Sequence, residues 1–148
     1  MRPIPIGATA ELHYTVTDDK TVPRIYDEFP EFAQMPAVFA TGLMVSLLEA
    51  CCQRAILPYL DWPPAGTEGS LGTHVNFSHL AATPVGMRIT VKARVTAVEG
   101  RKVSFHVEAW DSHDKITEGT HERTVVDFER FAQRVQDKAT RPLPGAPA

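Results

Sequence analysis

Three side chains stand out against their surroundings in this chain of 148 residues. Glu49 sits inside an apolar run from Leu43 to Leu57. A carboxylate is costly to bury unless it is paired or put to use, and desolvation there would raise its pKa into the range of a useful nucleophile or base. The same residue also fits an exposed stripe, with Gln53 one turn further on. His79 ends an alternating segment with the parity of Thr73, Val75 and Phe77, which turns it inward or into a cleft, either as a satisfied core histidine or as a titrating group. Thr41 precedes Gly42 at the start of the same apolar run, where a helix leaves backbone N–H groups unpaired. It reads equally as a plain N-cap and as a hydroxyl beside a place for a developing oxyanion. A carboxylate, an imidazole and a hydroxyl at a helix N-terminus together supply what acyl transfer needs.

Spacing constrains how these groups can meet. Thr41 and Glu49 are eight residues apart, hence roughly 12 Å along one helix and about 80° apart around it. They do not touch within one straight helix. Either a substrate spans them, or Thr41 of one protomer meets Glu49 of another; the shared site is the expectation. Other residues suited to binding lie nearby. Gly72, in Gly69-Ser70-Leu71-Gly72-Thr73, marks a close backbone approach or a simple bend. Arg88, Lys92 and Arg94 lie on one strand face, suited to phosphates or to solvent. Arg123 is the more specific anion-binding candidate.

The elements that must hold these groups follow from periodicity. Ala8 to Val16 alternates as a strand. Residues 20–36, rich in proline and aromatics (Pro23, Tyr26, Phe29, Pro30, Phe32), form an irregular, lid-like cover. Pro36 to Leu57 is the long helix; its apolar residues surround most of the circumference, so other structure is expected to wrap it. Pro58 ends it, and Asp61 to Gly69 is a loop. Four more strands follow: Leu71 to Ser78, Met87 to Ala97, Val103 to Ala109, and Lys115 to Phe128. One strand, a mostly apolar helix and four antiparallel strands is an α+β order. A curled antiparallel sheet around a central helix, the hot-dog arrangement, buries that helix. Such a unit leaves edge strands open, so a homodimer is expected. The domain is expected to span 1–139, with 140–148 a flexible tail.

Composition narrows the function classes. A formal net charge of -3 gives no electrostatic reason to expect nucleic acid. The two cysteines are the neighbours Cys51 and Cys52, which point in different directions on a helix and suit neither a disulfide nor a metal set. No metal and no separate cofactor is expected. Met1-Arg2-Pro3-Ile4-Pro5 lacks an apolar leader core. The most apolar stretch, Pro36 to Leu60, carries Glu49, Gln53 and Arg54 and is no membrane span. A cytoplasmic protein is the expectation.

At these residues the sequence resembles the bacterial fluoroacetyl-CoA thioesterase family, a hot-dog group. The matching stretches are Phe39-Ala40-Thr41-Gly42, Glu49, Gly69-Ser70-Leu71-Gly72-Thr73, His79 with Ala81-Ala82-Thr83-Pro84, Val98-Glu99-Gly100-Arg101, and Gly119-Thr120-His121-Glu122-Arg123. The resemblance implies hydrolysis of a short acyl-CoA, with coenzyme A entering as part of the substrate. It implies Thr41, Glu49 and His79 as the catalytic set, the Gly72 backbone positioning the thioester, and Arg123 supporting the coenzyme A side. In that family the histidine is associated with removing a proton next to the carbonyl, and the glutamate and threonine with hydrolysis. Phe32 and Phe39 match lid and pocket positions. Met35 departs from the pattern, standing where the family has a gating phenylalanine, and Phe29 replaces a small residue. A flexible methionine makes no flat wall, so a broader acyl preference is expected.

Two rivals remain open on the sequence. Asn76 and His79 fit the Asn-x-x-His end of a hydratase motif, although His74 stands where its aspartate belongs, which removes half of the acid–base pair. A non-catalytic acyl-CoA-binding module is the other; a regulator of that kind would need a DNA-binding segment, and none is apparent.

Overall fold

The computed structural model describes residues 1–145. In chain order the main elements are β1 (Thr9–Thr15), α1 (Thr41–Ile56), β2 (Glu68–His79), β3 (Arg88–Glu99), β4 (Lys102–Trp110), β5 (Lys115–Asp127) and α2 (Phe128–Thr140). The five strands form one antiparallel sheet in the order β1-β3-β4-β5-β2. This is the α+β hot-dog arrangement expected. Its two edges are β1 and β2, the strands on either side of α1 in sequence.

The core lies between α1 and the inner sheet face. Met44, Leu48, Cys51, Cys52, Ala55 and Ile56 are buried along one side of the helix. They meet Ile89, Val91, Val95, Val103, Phe105 and Val107 of the sheet. Each large aliphatic side chain so buried contributes about 1.5–3 kcal/mol. The helix is not wrapped all round within one chain: Gly42, Ser46 and Ala50, at successive turns, are exposed. Small residues there let the stripe read as apolar without being covered. The thiols are withdrawn from chemistry; burial pushes Cys51 up to about 11 and Cys52 higher still.

Strand ends shift by one to three residues, and three larger differences from expectation stand out. α1 begins at Thr41, not Pro36, because the preceding backbone is claimed by strand-like partners: Phe39 N–H donates to Thr83 at 2.9 Å, and Val38 pairs with Pro84. Phe128, expected to end the last strand, instead opens α2 (Phe128–Thr140), an element not expected, capped by Asp127, whose carboxylate accepts from Arg130 N–H at 3.0 Å. Thr140, the first residue of the expected tail, closes that helix, and 146–148 lie outside the described residues. The third difference is a bulge in β2 between Gly72 and His74, leaving Thr73 extra against β5. Before it the even-numbered residues Ser70 and Gly72 face inward. After it Val75, Phe77 and His79 do, opposite His121, Gly119 and Thr117. Simple alternation would have put Gly72 and His79 on opposite faces; the extra residue puts both inside.

The cover over 20–36 is made of short 3-10 turns (Val22–Arg24, Pro30–Gln34). Tyr26, Phe29 and Phe32 pack ring against ring, with centroids 5.5–6.3 Å apart. Its base is pinned by Val22 N–H donating to Val38 at 3.0 Å.

Candidate active site

The sequence-selected residues fall into two clusters, one at the start of α1 and one at its middle. At the start, Thr41 Oγ1 lies 2.8 Å from His79 Nδ1. Thr41 is the first helical residue, the N-cap position being Ala40, so the threonine hydroxyl is not spent on capping. The first N–H to find an intrahelical acceptor is Met44, bonded to Ala40. The amides of Thr41, Gly42 and Leu43 therefore sit at the positive end of the helix, suited to a developing negative charge. Thr41 and His79 open onto a cavity of about 420 Å³, lined also by Val22, Val38, Phe39, Leu80, Ala81 and Ala82. Burial holds the His79 imidazole below its ordinary pKa, against an opposing pull from the Ala81 backbone, so it is a neutral base near pH 7.

Phe39, expected to contact substrate, is 2% exposed and forms the floor of that cavity. Phe32 and Met35 are not among its lining residues. Phe32 belongs to the surface aromatic cluster, and Met35 stands 47% exposed.

Two turns along α1, Glu49 is neither stranded in an apolar interior nor loose in solvent. Its side chain keeps 33% exposure and its Oε1 lies 3.3 Å from Arg123 Nη1. Arg123 is buried and fully committed. Its Nε donates to Ser70 Oγ (2.8 Å), Nη1 to Glu49 and to His121 Nε2 (3.2 Å), and Nη2 to Gln53 Oε1 (3.1 Å) and the Ser70 carbonyl (2.9 Å). Five donors meet five acceptors, which is the whole capacity of a guanidinium. Arg123 thus has no donor left for a coenzyme A phosphate; its anion is Glu49. This redirects the role that resemblance implied, because the side chain points into the core from the inner face of β5.

His121 completes the cluster. Its Nδ1 lies 2.7 Å from the His74 carbonyl, which can only accept, so that nitrogen carries the proton and Nε2 is the lone pair that Arg123 meets. Burial depresses its basicity, the His74 carbonyl opposes this, and Arg123 adds to the depression. The close approach marked by Gly72 is explained here: a Cβ at that position would overlap Glu49 Oε1 and come within 3.1 Å of His121. Glycine leaves room for the carboxylate.

Sequence reasoning missed His121, Ser70 and Gln53 as parts of the site. A signal existed: His121, Arg123 and Val125 share strand parity, and Gln53 follows Glu49 by one helical turn. Arg88, Lys92 and Arg94 remain on the exposed face, with Lys92 Nζ over the Trp110 ring. Asn76 is exposed on the face opposite to His79, and His74, at the place of the hydratase aspartate, shares that outer face and offers no carboxylate. Among the described residues no helix is long and apolar enough to cross a membrane.

Comparison with known proteins places this geometry. Residues 5–129 match the family described as "Fluoroacetyl-CoA-specific thioesterase". The fluoroacetyl-CoA thioesterase of Streptantibioticus cattleyicolor is 50% identical over 133 residues, 90% of this chain and 93% of that protein. A crystal structure of a fluoroacetyl-CoA thioesterase superposes with a TM-score of 0.86 at 45% identity, over 95% of this chain and 99% of that one. A variant solved in complex with fluoroacetate and CoA gives 0.80 at 48% identity, over 86% and 98%. A Thermus thermophilus thioesterase superfamily member gives 0.79 at 33% identity, over 94% and 98%.

Proposed function

Since the chain belongs to the fluoroacetyl-CoA-specific thioesterase family, we propose that it hydrolyses short acyl-CoA thioesters to the free acid and coenzyme A, at a site shared between two protomers. The observation that carries this reading is the separation of the two clusters along α1. Each is incomplete alone: Thr41 and His79 have a base, a hydroxyl and a helix N-terminus but no carboxylate, while Glu49 has its orienting cation but no imidazole base free to act. A two-fold dimer that brings Glu49 of one protomer to the Thr41–His79 pair of the other joins them.

Several features support such a dimer. β2 is an edge strand whose inner face leaves Val75 48% exposed. The Gly42, Ser46 and Ala50 stripe of α1 is bare and small enough for close approach by a second helix. Pairing β2 edges and covering this stripe removes both exposures at once.

In this arrangement the thioester oxygen lies toward the amides at the start of α1, which stabilise the charge that develops as the carbonyl is attacked. The Glu49 carboxylate, oriented by Arg123, acts at the carbonyl carbon by direct attack or through a water molecule. On the direct route the C–S bond breaks as a mixed anhydride forms on Glu49, and the coenzyme A thiolate leaves. Water, giving its proton to neutral His79, then cleaves the anhydride to the free acid and restores the carboxylate. On the water route Glu49 takes the proton of the attacking water as the C–S bond breaks, and that proton goes to the leaving thiolate. Rapid-quench capture of a Glu49-linked acyl group tells direct attack from base catalysis.

The cover leaves the acyl range loosely set, since Phe32 and Met35 do not line the Thr41–His79 cavity. Met35, half exposed beside the Tyr26–Phe29–Phe32 cluster, forms no rigid wall over the cavity, so we assign this enzyme a broader acyl preference than its family name implies. The test is a thiol-release assay over fluoroacetyl-, acetyl-, propionyl- and longer acyl-CoA. Turnover of several short acyl groups within about 10–200-fold of one another is expected, which is what a methylene in an apolar pocket is worth. Exclusive turnover of fluoroacetyl-CoA defeats the acyl assignment, and no thiol release from any member defeats the activity.

A further inference from the structure

His79 and Thr117 occupy paired positions on β2 and β5. Paired residues on antiparallel strands present their Cβ atoms on one sheet face, roughly 4.5–5.5 Å apart. Here that face is the inner one. Thr117 is fully buried, and so is His79 Nε2. The other ring nitrogen, Nδ1, is the one beside Thr41 Oγ1 at the cavity. The two nitrogens therefore look in different directions, one toward the reacting groups and one into the sheet. Among the described residues, His79 Nε2 and Thr117 Oγ1 are the two buried side-chain polar atoms with no hydrogen-bonding partner in the chain. Buried polar atoms are satisfied as a rule, since leaving one unpaired forfeits its hydration without return. That both unsatisfied atoms fall on a single register pair makes each the natural partner of the other.

We propose that Thr117 is the positioning residue of His79, accepting the Nε2–H and thereby holding Nδ1 as the lone pair aimed at Thr41. A change of Thr117 rotamer or one bridging water completes the link, because a hydroxyl both donates and accepts. Locking the tautomer matters. With the proton on Nδ1 the ring donates toward Thr41 and cannot take a proton there, and a third group that orients the base is the recurring solution. Thr117 itself touches no substrate. The backbone of Ala81 also lies near this ring and is the competing acceptor for the same proton. The inference rests on the reading of His79 as the base.

Thr117→Val tests it, since valine keeps the branched shape and strand preference while removing the hydroxyl. The expected result is a kcat lower by about tenfold with KM nearly unchanged, as for loss of other orienting groups around a functional histidine. The ¹⁵N shifts of the His79 ring should move from one tautomer toward a mixture, and Thr117→Ser should recover most of the rate. If Thr117→Val folds poorly, the wild-type ring shifts decide on their own, because an Nδ1–H tautomer at His79 overturns the proposal. Wild-type kcat and unchanged ring shifts in Thr117→Val also overturn it, leaving Ala81 as the acceptor. A His79→Ala control separates the levels. Full activity in that variant removes both this inference and the reading beneath it, whereas its inactivity beside a fully active Thr117→Val removes this inference alone.

Discussion

The two clusters on α1 are built on opposite principles. Around Glu49 the supporting groups are saturated: the Arg123 guanidinium has five acceptors for five donors, and His121 is held at both ring nitrogens. Around Thr41 the bonding is sparse, a single 2.8 Å contact to His79 beside an open cavity. The first is a mount, in which an ionic side chain is fixed by partners that cannot easily rearrange. The second keeps spare donors and acceptors for a substrate to use. A shared site needs one of each, since two saturated clusters would leave nothing to bind and two sparse ones nothing held in place.

The contrast is broken most decisively by mixing protomers. Glu49→Gln and His79→Ala should each lower kcat by about 10²–10⁴, the usual cost of removing a positioned acid–base group. Co-refolded together, they should regain about a quarter of wild-type activity, because random pairing into two-fold dimers leaves half the dimers mixed, each with one intact site. Recovery no greater than the sum of the parents would place both clusters in one protomer's site and end the shared arrangement.

A smaller effect separates mount from working end by stability. Arg123→Lys offers three donors where five acceptors wait, so it should lower stability by roughly 1–3 kcal/mol, read as a clear fall in Tm, together with activity. Thr41→Val, at an exposed first-turn position, should lose activity with Tm within a degree or two of wild type. Equal Tm losses in both variants would erase the distinction.

The smallest effect is in pH. Burial sets His79 below the ordinary histidine value of 6.5, partly opposed by the Ala81 backbone. With the neutral ring as the working form, as proposed, kcat/KM should fall as acid protonates it and be flat above. The acid midpoint should therefore lie below about 6.5, with little change from pH 7 to 8. A midpoint above 7 would mean that the imidazole is stabilised in its charged form, contrary to its surroundings.

Much of this was readable from residue types. Alternation in 88–99 and 102–110 reports strands with one face in the core, and the helix with its lone carboxylate is visible as an apolar run. What escaped did so for identifiable reasons. α2 has no buried residue, yet Phe128, Phe131, Ala132 and Val135 fall at helical spacing; the signal is present, and carrying the last strand on to Phe128 hides it. The full tie between Arg123 and Glu49 spans 74 residues, so no local spacing announces it. The start of α1 shifted because extended pairing of Val38 and Phe39 is a tertiary contact that outweighs the helix-compatible pattern before Thr41.

Thr73 carries a consequence out of proportion to its side chain. It contributes no group to either cluster, yet it is the odd link that shifts the phase of β2 half-way along. Draw it into the ladder as an ordinary paired residue, and the downstream pleat turns over: Val75, Phe77 and His79 swing to the solvent side, while Ser78 and Asn76 enter the core. Every functional group would survive such a slip, and the imidazole would simply be delivered to the wrong side of the wall. In this strand the place where pairing skips is as much a part of the enzyme as the residues that pair.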